Sequence, residues 1–196
     1  MWQSLRTATL LFLLLTIVTG VIYPLAVTAV AQAAFGRQAG GSLILQDGRA
    51  VGSDLLGQPF DAPGDFWGRP SATGPVAYNG LGGSGSNQAP TNPALETAVK
   101  ERIDRLKSAD PDNTAVIPAD LVMASASGLD PHISPAAAEY QVQRVARARG
   151  LEAAEVRRLV AAHTETPTLG FLGMSRVHVL RLNLALRALQ PVPEVR

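Results

Sequence analysis

A long uncharged stretch near the N-terminus is the feature that most constrains how this chain can fold. No charged residue occurs from Thr7 through Gly36, and the segment from Ala8 to Ala31 is almost wholly apolar. A helix needs about 20 apolar residues to cross the hydrocarbon core of a bilayer, and this segment is longer than that. The stretch therefore predicts a membrane anchor that spans the bilayer once.

The same segment also has features of a secretory signal peptide. The start MWQSLR is a short basic region, and Ala29-Val30-Ala31 and Ala31-Gln32-Ala33 resemble cleavage sites. The apolar core of a signal peptide is typically about 7 to 15 residues long, whereas this one continues well past that range. The length therefore favours a retained anchor. Arg6 on one side and Arg37 and Arg49 on the other leave the orientation open.

A break in the anchor helix is predicted at its single proline. Pro24 has no amide hydrogen, so it should kink the helix after Tyr23, and a neighbouring helix or a local backbone adjustment can re-satisfy the freed carbonyl. A kink beside an aromatic side chain offers a surface to another membrane helix. We therefore interpret Gly20, Tyr23 and Pro24 as a hypothetical docking face within the membrane.

The chain after the anchor has balanced charge. All 16 acidic residues, and every basic residue except Arg6, follow the anchor, so the formal charge of this region is near zero. A near-neutral surface argues against binding of nucleic acid and against binding of lipid through a polybasic patch, and it favours a protein partner. The chain has no cysteine, which excludes disulfides and thiolate chemistry but leaves the redox compartment open.

The sequence predicts an α+β fold, with one N-terminal transmembrane helix followed by a single helix-dominated soluble domain that contains a small β-sheet. We place the N-terminal tail and anchor at 1–36 and the soluble domain at 37–196. With about 160 residues, the soluble part is large enough to bury its own core. Asp47-Gly48 lies between two short apolar runs, which predicts a β-hairpin early in this region.

Helices in the soluble region are predicted from capping residues and from apolar positions at helical spacing. Asn92 and Ser134, each followed by proline, are suitable N-terminal caps, and Gly150 is typical of a position just past a helix end. The predicted helices cover 93–107, 135–149 and 152–163.

The last apolar segment, from Arg176 to Leu189, fits two structures. Its leucines alternate as in a strand, while Val177, Leu180 and Leu184 keep helical spacing. The segment is long for a strand and rich in Leu, Arg and Ala, so we predict a helix.

The sequence shows no motif for catalysis or metal binding. The three histidines are too scattered for a local metal site, and no cysteine can complete one. Asp130, which precedes a proline, fits a turn or cap residue, and Ser125 and Ser127 lack the frame of a hydrolase elbow. Asp61 and Asp65 are interpreted as solvated loop charges. We therefore predict no catalytic residue and no metal site.

The block from Phe66 to Pro93 is rich in Gly, Ser, Asn and Pro, yet it also carries aromatic, arginine and amide side chains. A flexible linker needs none of these, so we predict an ordered loop. Its LGGSGSNQ stretch could present backbone N–H groups to a phosphate, but a Walker loop requires a Gly-Lys-Ser/Thr motif, and no lysine precedes Lys100. A nucleotide contact through Ser, Asn and Gln side chains is kept as the second interpretation.

Several stretches of the sequence occur together, in fixed order, in a known family: TGVIYPLAVTAVAQAAF in the anchor, FWGRPSA at 66–72, GGSGSNQAPTNPAL at 82–95 and IPADLVMASASGLDPHISPAAAEYQVQRVARARG at 117–150. Over nearly its whole length the chain resembles the C subunit (KdpC) of the Kdp potassium-transporting P-type ATPase of bacteria and archaea. It departs from the usual family pattern at Gly68, Glu152 and Arg187, where the family often carries a proline, a capping serine and an acidic residue.

The resemblance implies a non-catalytic subunit of a four-part complex. The partners would be a channel-like potassium-translocating subunit, a P-type ATPase subunit that carries the aspartyl-phosphate chemistry, and a small membrane subunit. The family is described as stabilising the assembly and as a catalytic chaperone that raises the ATP affinity of the pump subunit. The resemblance also implies a single-pass protein of the bacterial inner membrane with a periplasmic soluble domain.

The resemblance further singles out Ser84, Gly85, Ser86, Asn87 and Gln88 as the stretch proposed for nucleotide contact. ATP would be reached through the complex, and no cofactor is expected to bind this chain alone. Because cytoplasmic ATP is absent from the periplasm, we prefer a role in assembly and ion entry. The alternative is a stand-alone, membrane-anchored periplasmic binding protein or hydrolase.

Overall fold

The computed structural model describes residues 1–189 and divides the chain into two compact units. The first unit is Met1–Ser53, and the second begins at Asp54. The predicted boundary between anchor and soluble domain, at 36/37, stays a prediction. Residues 190–196, which the predicted domain includes, lie outside the described residues.

The N-terminal helix is almost unbroken. Helix α1 (Trp2–Ile17) continues through a π-helical turn, Val18–Ile22, into helix α2 (Tyr23–Ala34). Together these 33 residues extend about 50 Å at about 1.5 Å per residue, which is longer than the roughly 30 Å core of a bilayer. None of these side chains is buried within the structure. The helix is therefore a candidate membrane span, as predicted.

A π-helical turn ends at Ile22, two residues before Pro24, while the kink predicted after Tyr23 stays a prediction. In an α-helix, the ring of Pro24 would clash with the carbonyl of Gly20 and leave it without a donor. The wider π turn changes the carbonyl spacing at this point. Threonine hydroxyls along the helix donate to carbonyls four residues earlier, which satisfies them within an apolar surface; these are Thr9, Thr16 and Thr19.

A short helix, α3 (Gly36–Ala39), leads into the predicted hairpin. Strands β1 (Leu43–Gln46) and β2 (Arg49–Ser53) pair antiparallel. The turn residues Asp47 and Gly48 have φ angles of 51° and 76°. A two-residue turn with both residues in the left-handed region matches the twist of the strands, and the hairpin prediction is confirmed.

The described part of the second unit combines helices with a small antiparallel sheet of strand order β3-β5-β4. His132 of β3 lies opposite His178 of β5, and Thr164 of β4 lies opposite Val177. In chain order the elements are α4 (Pro93–Ala109), a 3₁₀ turn (Ala119–Leu121), β3 (His132–Ile133), α5 (Pro135–Arg149), α6 (Ala153–Ala162), β4 (Thr164–Glu165), β5 (Arg176–His178) and α7 (Val179–Leu189).

The capping predictions hold at both ends of the helices. Asn92 and Ser134 accept hydrogen bonds from backbone N–H groups two and three residues further on, at 2.9 and 3.0 Å. Gly150 has a φ of 64° at the end of α5, a conformation that glycine adopts without strain. Glu152, where the family often has a capping serine, makes no side-chain cap bond.

The helix predicted for the last apolar segment is only partly correct. Arg176–His178 forms strand β5, and the helix begins at Val179. The strand forms because Val177 is fully buried between β3 and β4. From Val179 onward the helical spacing prevails, and it places Leu182 and Leu186 in the core beside Val142 of α5.

Candidate functional site: the glycine-rich loop

The glycine-rich loop begins with Phe66 and Trp67, and a buried amide side chain bonds to both the N–H and the carbonyl of each residue. Asn183 of α7 accepts from the Phe66 N–H at 2.8 Å and donates to the Phe66 carbonyl at 3.0 Å. Gln141 of α5 brackets Trp67 in the same way, at 2.8 and 3.1 Å. Each amide thus replaces a neighbouring strand, so the buried backbone here is fully paired. We call residues 65–79 the front segment of the loop.

Asp65, just before these residues, is buried in an ion-pair network. Its carboxylate lies 2.7 Å from Nη2 of Arg149 and 2.9 Å from Nη2 of Arg187. The side chain of Arg149 is only 2% exposed. The interpretation of Asp65 as a solvated charge is therefore wrong, because the partners come from helices more than 80 residues away. Arg187, one of the departures from the family pattern, takes part in this network.

The indole of Trp67 lies between two guanidinium groups. Cζ of Arg144 is 4.4 Å from the ring centroid, and Cζ of Arg105 is 4.6 Å from it. Stacking of this kind stabilises cations through the negative face of the ring. Burial lowers the pKa of Arg144 to about 10, so it remains a cation at neutral pH and also donates to the Asp65 carbonyl at 3.0 Å.

Tyr78 closes the front segment. Its hydroxyl donates to the Arg69 carbonyl at 2.6 Å, and its N–H donates to Oγ of Ser71 at 2.9 Å. Burial, assisted by the charge of Asp130, raises the pKa of Tyr78 to about 12, so the phenol is protonated. A Cβ on Gly57 would lie 2.4 Å from the ring of Tyr78. The absence of a side chain at Gly57 is what lets the ring pack there.

Arg69 joins the front segment to the turn before β3. Its Nη1 lies 3.0 Å from Oδ2 of Asp130, whose Oδ1 accepts the N–H of His132 at 3.0 Å. Burial alone would raise the pKa of Asp130, but the bonds from His132 and Arg69 outweigh it, and the pKa is lowered. The interpretation of Asp130 as a turn residue is confirmed. Within residues 1–189, Nε of Arg69 and Oγ of Ser125 are buried without a partner.

The histidines that looked scattered in sequence are partly brought together. The rings of His132 and His178 meet edge to face, 5.1 Å apart, because β3 and β5 pair at this position. Nε2 of His178 lies 3.1 Å from the carbonyl of Asp54, and burial lowers the pKa of His178. Within the described residues, no group of three acidic or histidine side chains is arranged to hold a metal ion.

The predicted nucleotide stretch, residues 84–88, lies together at the surface, and we call it the rear segment. Ser84, Ser86 and Asn87 are exposed, and Gly85 and Gln88 are half-buried. The Ser84 N–H donates to the Ser127 carbonyl at 2.8 Å. In the part of the chain that the structure describes, the side chains of Asn87 and Gln88 make no hydrogen bond. Nucleotide contact here stays a prediction.

The front segment also borders a cavity of about 290 Å³, which was not predicted from the sequence. Its walls include Arg69, Trp67 and Tyr78, and two arginines of α4, Arg102 and Arg105. The two helix arginines are three positions apart, which places them on one face. That spacing was visible in the sequence, but the packing of Arg105 on Trp67 was not.

The predicted docking face in the membrane helix is exposed. Gly20 belongs to the π-helical turn, and apart from the adjoining residues and the helix's own backbone no described atom would lie within 4 Å of a Cβ at this position. Tyr23 is 66% exposed, directly before Pro24. A partner helix could therefore approach these residues closely, and the docking role stays a prediction.

Comparison with known proteins identifies the family. The KdpC family, described as the c chain of K⁺-transporting ATPase, matches residues 5–188. This chain belongs to the KdpC family. A potassium-transporting ATPase KdpC subunit of Polaromonas naphthalenivorans is 66% identical over 192 residues, with 98% of each chain covered.

Other KdpC relatives match over the same extent. The KdpC subunit of Sorangium cellulosum is 64% identical and covers 95% of this chain and 98% of its own length. That of Methylococcus capsulatus is 58% identical and covers 97% of this chain and 100% of its own length. The matches therefore cover nearly all of this chain and nearly all of each relative.

Proposed function

We propose that this chain is the non-catalytic accessory subunit of a high-affinity, ATP-driven potassium uptake complex of the Kdp type. The observation that carries the proposal is the KdpC match over residues 5–188. The candidate span at Trp2–Ala34 supports a single-pass location in the inner membrane. We place the soluble domain in the periplasm, on the side from which potassium enters, because the family resemblance implies that side.

The chain acts by assembling its partners rather than by chemistry of its own. Its partners are the channel-like subunit, the P-type ATPase subunit and the small membrane subunit. The membrane helix docks against the channel-like subunit through Gly20, Tyr23 and Pro24, and the soluble domain caps the outer mouth of that subunit. The exposure of this face on a helix with no internal packing supports the docking step.

Co-purification of the complex after mild detergent extraction tests the assembly role. A Gly20→Leu variant places a bulky side chain where helices would approach closely, so we expect less channel-like and pump subunit to be recovered with it. Ala8→Leu, a similar change in the same exposed helix, is the matched control and should recover the wild-type amount.

Two results would decide against this proposal. If the channel-like and pump subunits assemble and transport potassium at the wild-type rate without this chain, it has no accessory role. If the extracted chain is a stable monomer with no partner, the alternative of a stand-alone binding protein or hydrolase is supported instead.

A second role, as a catalytic chaperone that raises the ATP affinity of the pump subunit, is proposed for the rear segment. Its support is the pair of exposed or half-exposed amides, Asn87 and Gln88, that have no hydrogen bond within the described chain. Calorimetry of the full chain with ATP and Mg²⁺ tests direct binding. No heat at millimolar ATP, together with an unchanged KM for ATP in a complex carrying Asn87→Ala and Gln88→Ala, would reject this role.

A further inference from the structure

The arginine-lined cavity beside the front segment contains the guanidinium of Arg105, which is held by stacking but has no hydrogen-bond acceptor among the described residues. Arg105 stacks on the face of Trp67, with its Cζ 4.6 Å from the ring centroid. Stacking engages the flat face of a guanidinium and leaves its in-plane N–H donors free for a bidentate acceptor. Within residues 1–189, Arg105 makes no hydrogen bond and no ion pair. Its donors therefore lack an acceptor among the described residues.

Arg102 adds a second cation one helical turn earlier. Its Nη1 donates to the Val122 carbonyl at 2.6 Å, which fixes the side chain against the cavity wall. In the described part of the chain, no carboxylate lies within ion-pair distance of Arg102. Burial accordingly lowers the pKa of Arg102, and Glu101 only partly offsets this effect. A half-buried cation without a counter-charge is unfavourable until an anion arrives.

The rest of the lining leaves this positive charge in excess. Arg69 is already paired with Asp130, at 3.0 Å. The lining also includes one carboxylate, Asp61, which is exposed to solvent. Two guanidinium groups that have no ion-pair partner among the described residues thus share the cavity lining with a single solvated carboxylate, and the cavity as a whole attracts anions.

We propose that this cavity binds a phosphate-type oxyanion, either free phosphate or the headgroup of a phosphomonoester lipid. A tetrahedral anion has enough oxygens to accept from two guanidinium groups, and a phosphomonoester carries about −1.5 to −2 charges at pH 7. The cavity has a volume of about 290 Å³, close to the lower limit of the roughly 300 to 1,000 Å³ usual for ligand pockets. A cavity of this size suits a small anionic group. The inference concerns a site apart from the rear segment and does not depend on the proposed function.

Titration of the full chain in non-ionic detergent tests the site. Thermal unfolding is followed with increasing sodium phosphate, against sodium chloride at equal ionic strength, and apparent dissociation constants are obtained from the shift in Tm. We expect Arg105→Gln to weaken phosphate binding by roughly tenfold or more, since hydrogen bonds to charged groups typically contribute at least that. Arg158→Gln, at an exposed arginine on α6 outside the cavity, should bind phosphate like the wild type.

Arg102→Gln is a second test, and we expect it to weaken phosphate binding as well. If Arg102→Gln fails to fold, Arg105→Gln still tests the site, because Arg105 is a surface residue. Short-chain phosphatidic acid in place of phosphate distinguishes the two sources. Binding of phosphate itself indicates a free anion, and binding of the lipid alone indicates a headgroup. If neither probe raises Tm above the chloride control, or if Arg105→Gln binds both as the wild type does, the proposal is wrong.

Discussion

The two ends of the glycine-rich loop differ in what holds them. The front segment is tied to α5 and α7 by buried amides and by ion pairs to Asp65. The rear segment lies at the surface, and its amide side chains make no hydrogen bond within the described residues. The difference indicates that one loop serves two purposes: its front supports the fold, whereas its rear is available for contact with another molecule.

The largest expected loss of stability comes from breaking the buried ion pairs of Asp65 in the front segment. Asp65→Asn removes the counter-charge of Arg149, whose side chain is only 2% exposed. Breaking a buried ion pair on one side typically costs about 3 to 5 kcal/mol, so we expect a loss of that order in denaturant unfolding of the full chain. Glu165→Gln breaks an exposed pair with Arg176 and should cost less than about 1 kcal/mol. Equal effects of the two variants would contradict the comparison.

The next effect concerns the amide that brackets Phe66. Asn183→Ala leaves a buried N–H and a buried carbonyl without partners, each of which costs about 1 to 3 kcal/mol. We expect the free energy of unfolding to fall by about 3 kcal/mol, measured by the same denaturant titration. A loss below about 1 kcal/mol would show that water replaces the amide.

At Gly85 the rear segment packs closely against the backbone of Ala126. A Cβ at this position would lie 2.8 Å from the Ala126 carbonyl oxygen, so Gly85→Ala forces two backbone segments apart. Overpacking of this kind costs typically about 1 to 3 kcal/mol, and we expect the lower end because the site is near the surface. A wild-type Tm for Gly85→Ala would show that the whole rear segment moves freely.

A smaller effect is expected from the acid titration of Asp130. Its pKa is lowered in the folded protein, so its contribution to stability is present above the unfolded value of about 3.9 and is lost as the pH falls through the folded pKa. Asp130→Asn should therefore flatten stability against pH below about pH 4. Unfolding curves from about pH 2 to 5 measure this, and an identical slope in both proteins would contradict it.

The smallest effect is expected at the rear. Asn87→Gly with Gln88→Ala removes no hydrogen bond within the described chain, and glycine keeps the φ of 51° at position 87 without strain. The free energy of unfolding should therefore change by less than about 0.5 kcal/mol. Calorimetric unfolding of the double variant checks this. A large loss would mean that these amides support the fold, and the rear would no longer differ from the front.

The sequence predicts the local features of this fold well, because their signals lie within a few residues. Asp47-Gly48 predicts its hairpin, and Asn92 and Ser134 predict the helix starts. The helix predicted over Arg176–Leu189 is wrong at its start, because pairing of Val177 with two other strands overrides helical spacing.

The long-range features could not be predicted in this way. Gln141 and Asn183 bracket residues 74 and 117 positions away, and a buried amide inside an amphipathic helix looks like any other polar residue. The burial of Asp65 and the meeting of His132 with His178 also depend on which elements pack together. The family resemblance supplied the function class, whereas the arginine-lined cavity emerges only from the packing of α4 on the loop.

The stack of Arg105, Trp67 and Arg144 has an optical consequence. The chain has two tryptophans, and the other, Trp2, lies exposed at the start of the anchor helix. Replacing Trp2 with phenylalanine would leave a single indole whose fluorescence reports on the junction of the loop with α4 and α5. Any movement of Arg105 on and off the ring would then register as a change in emission, without an attached dye.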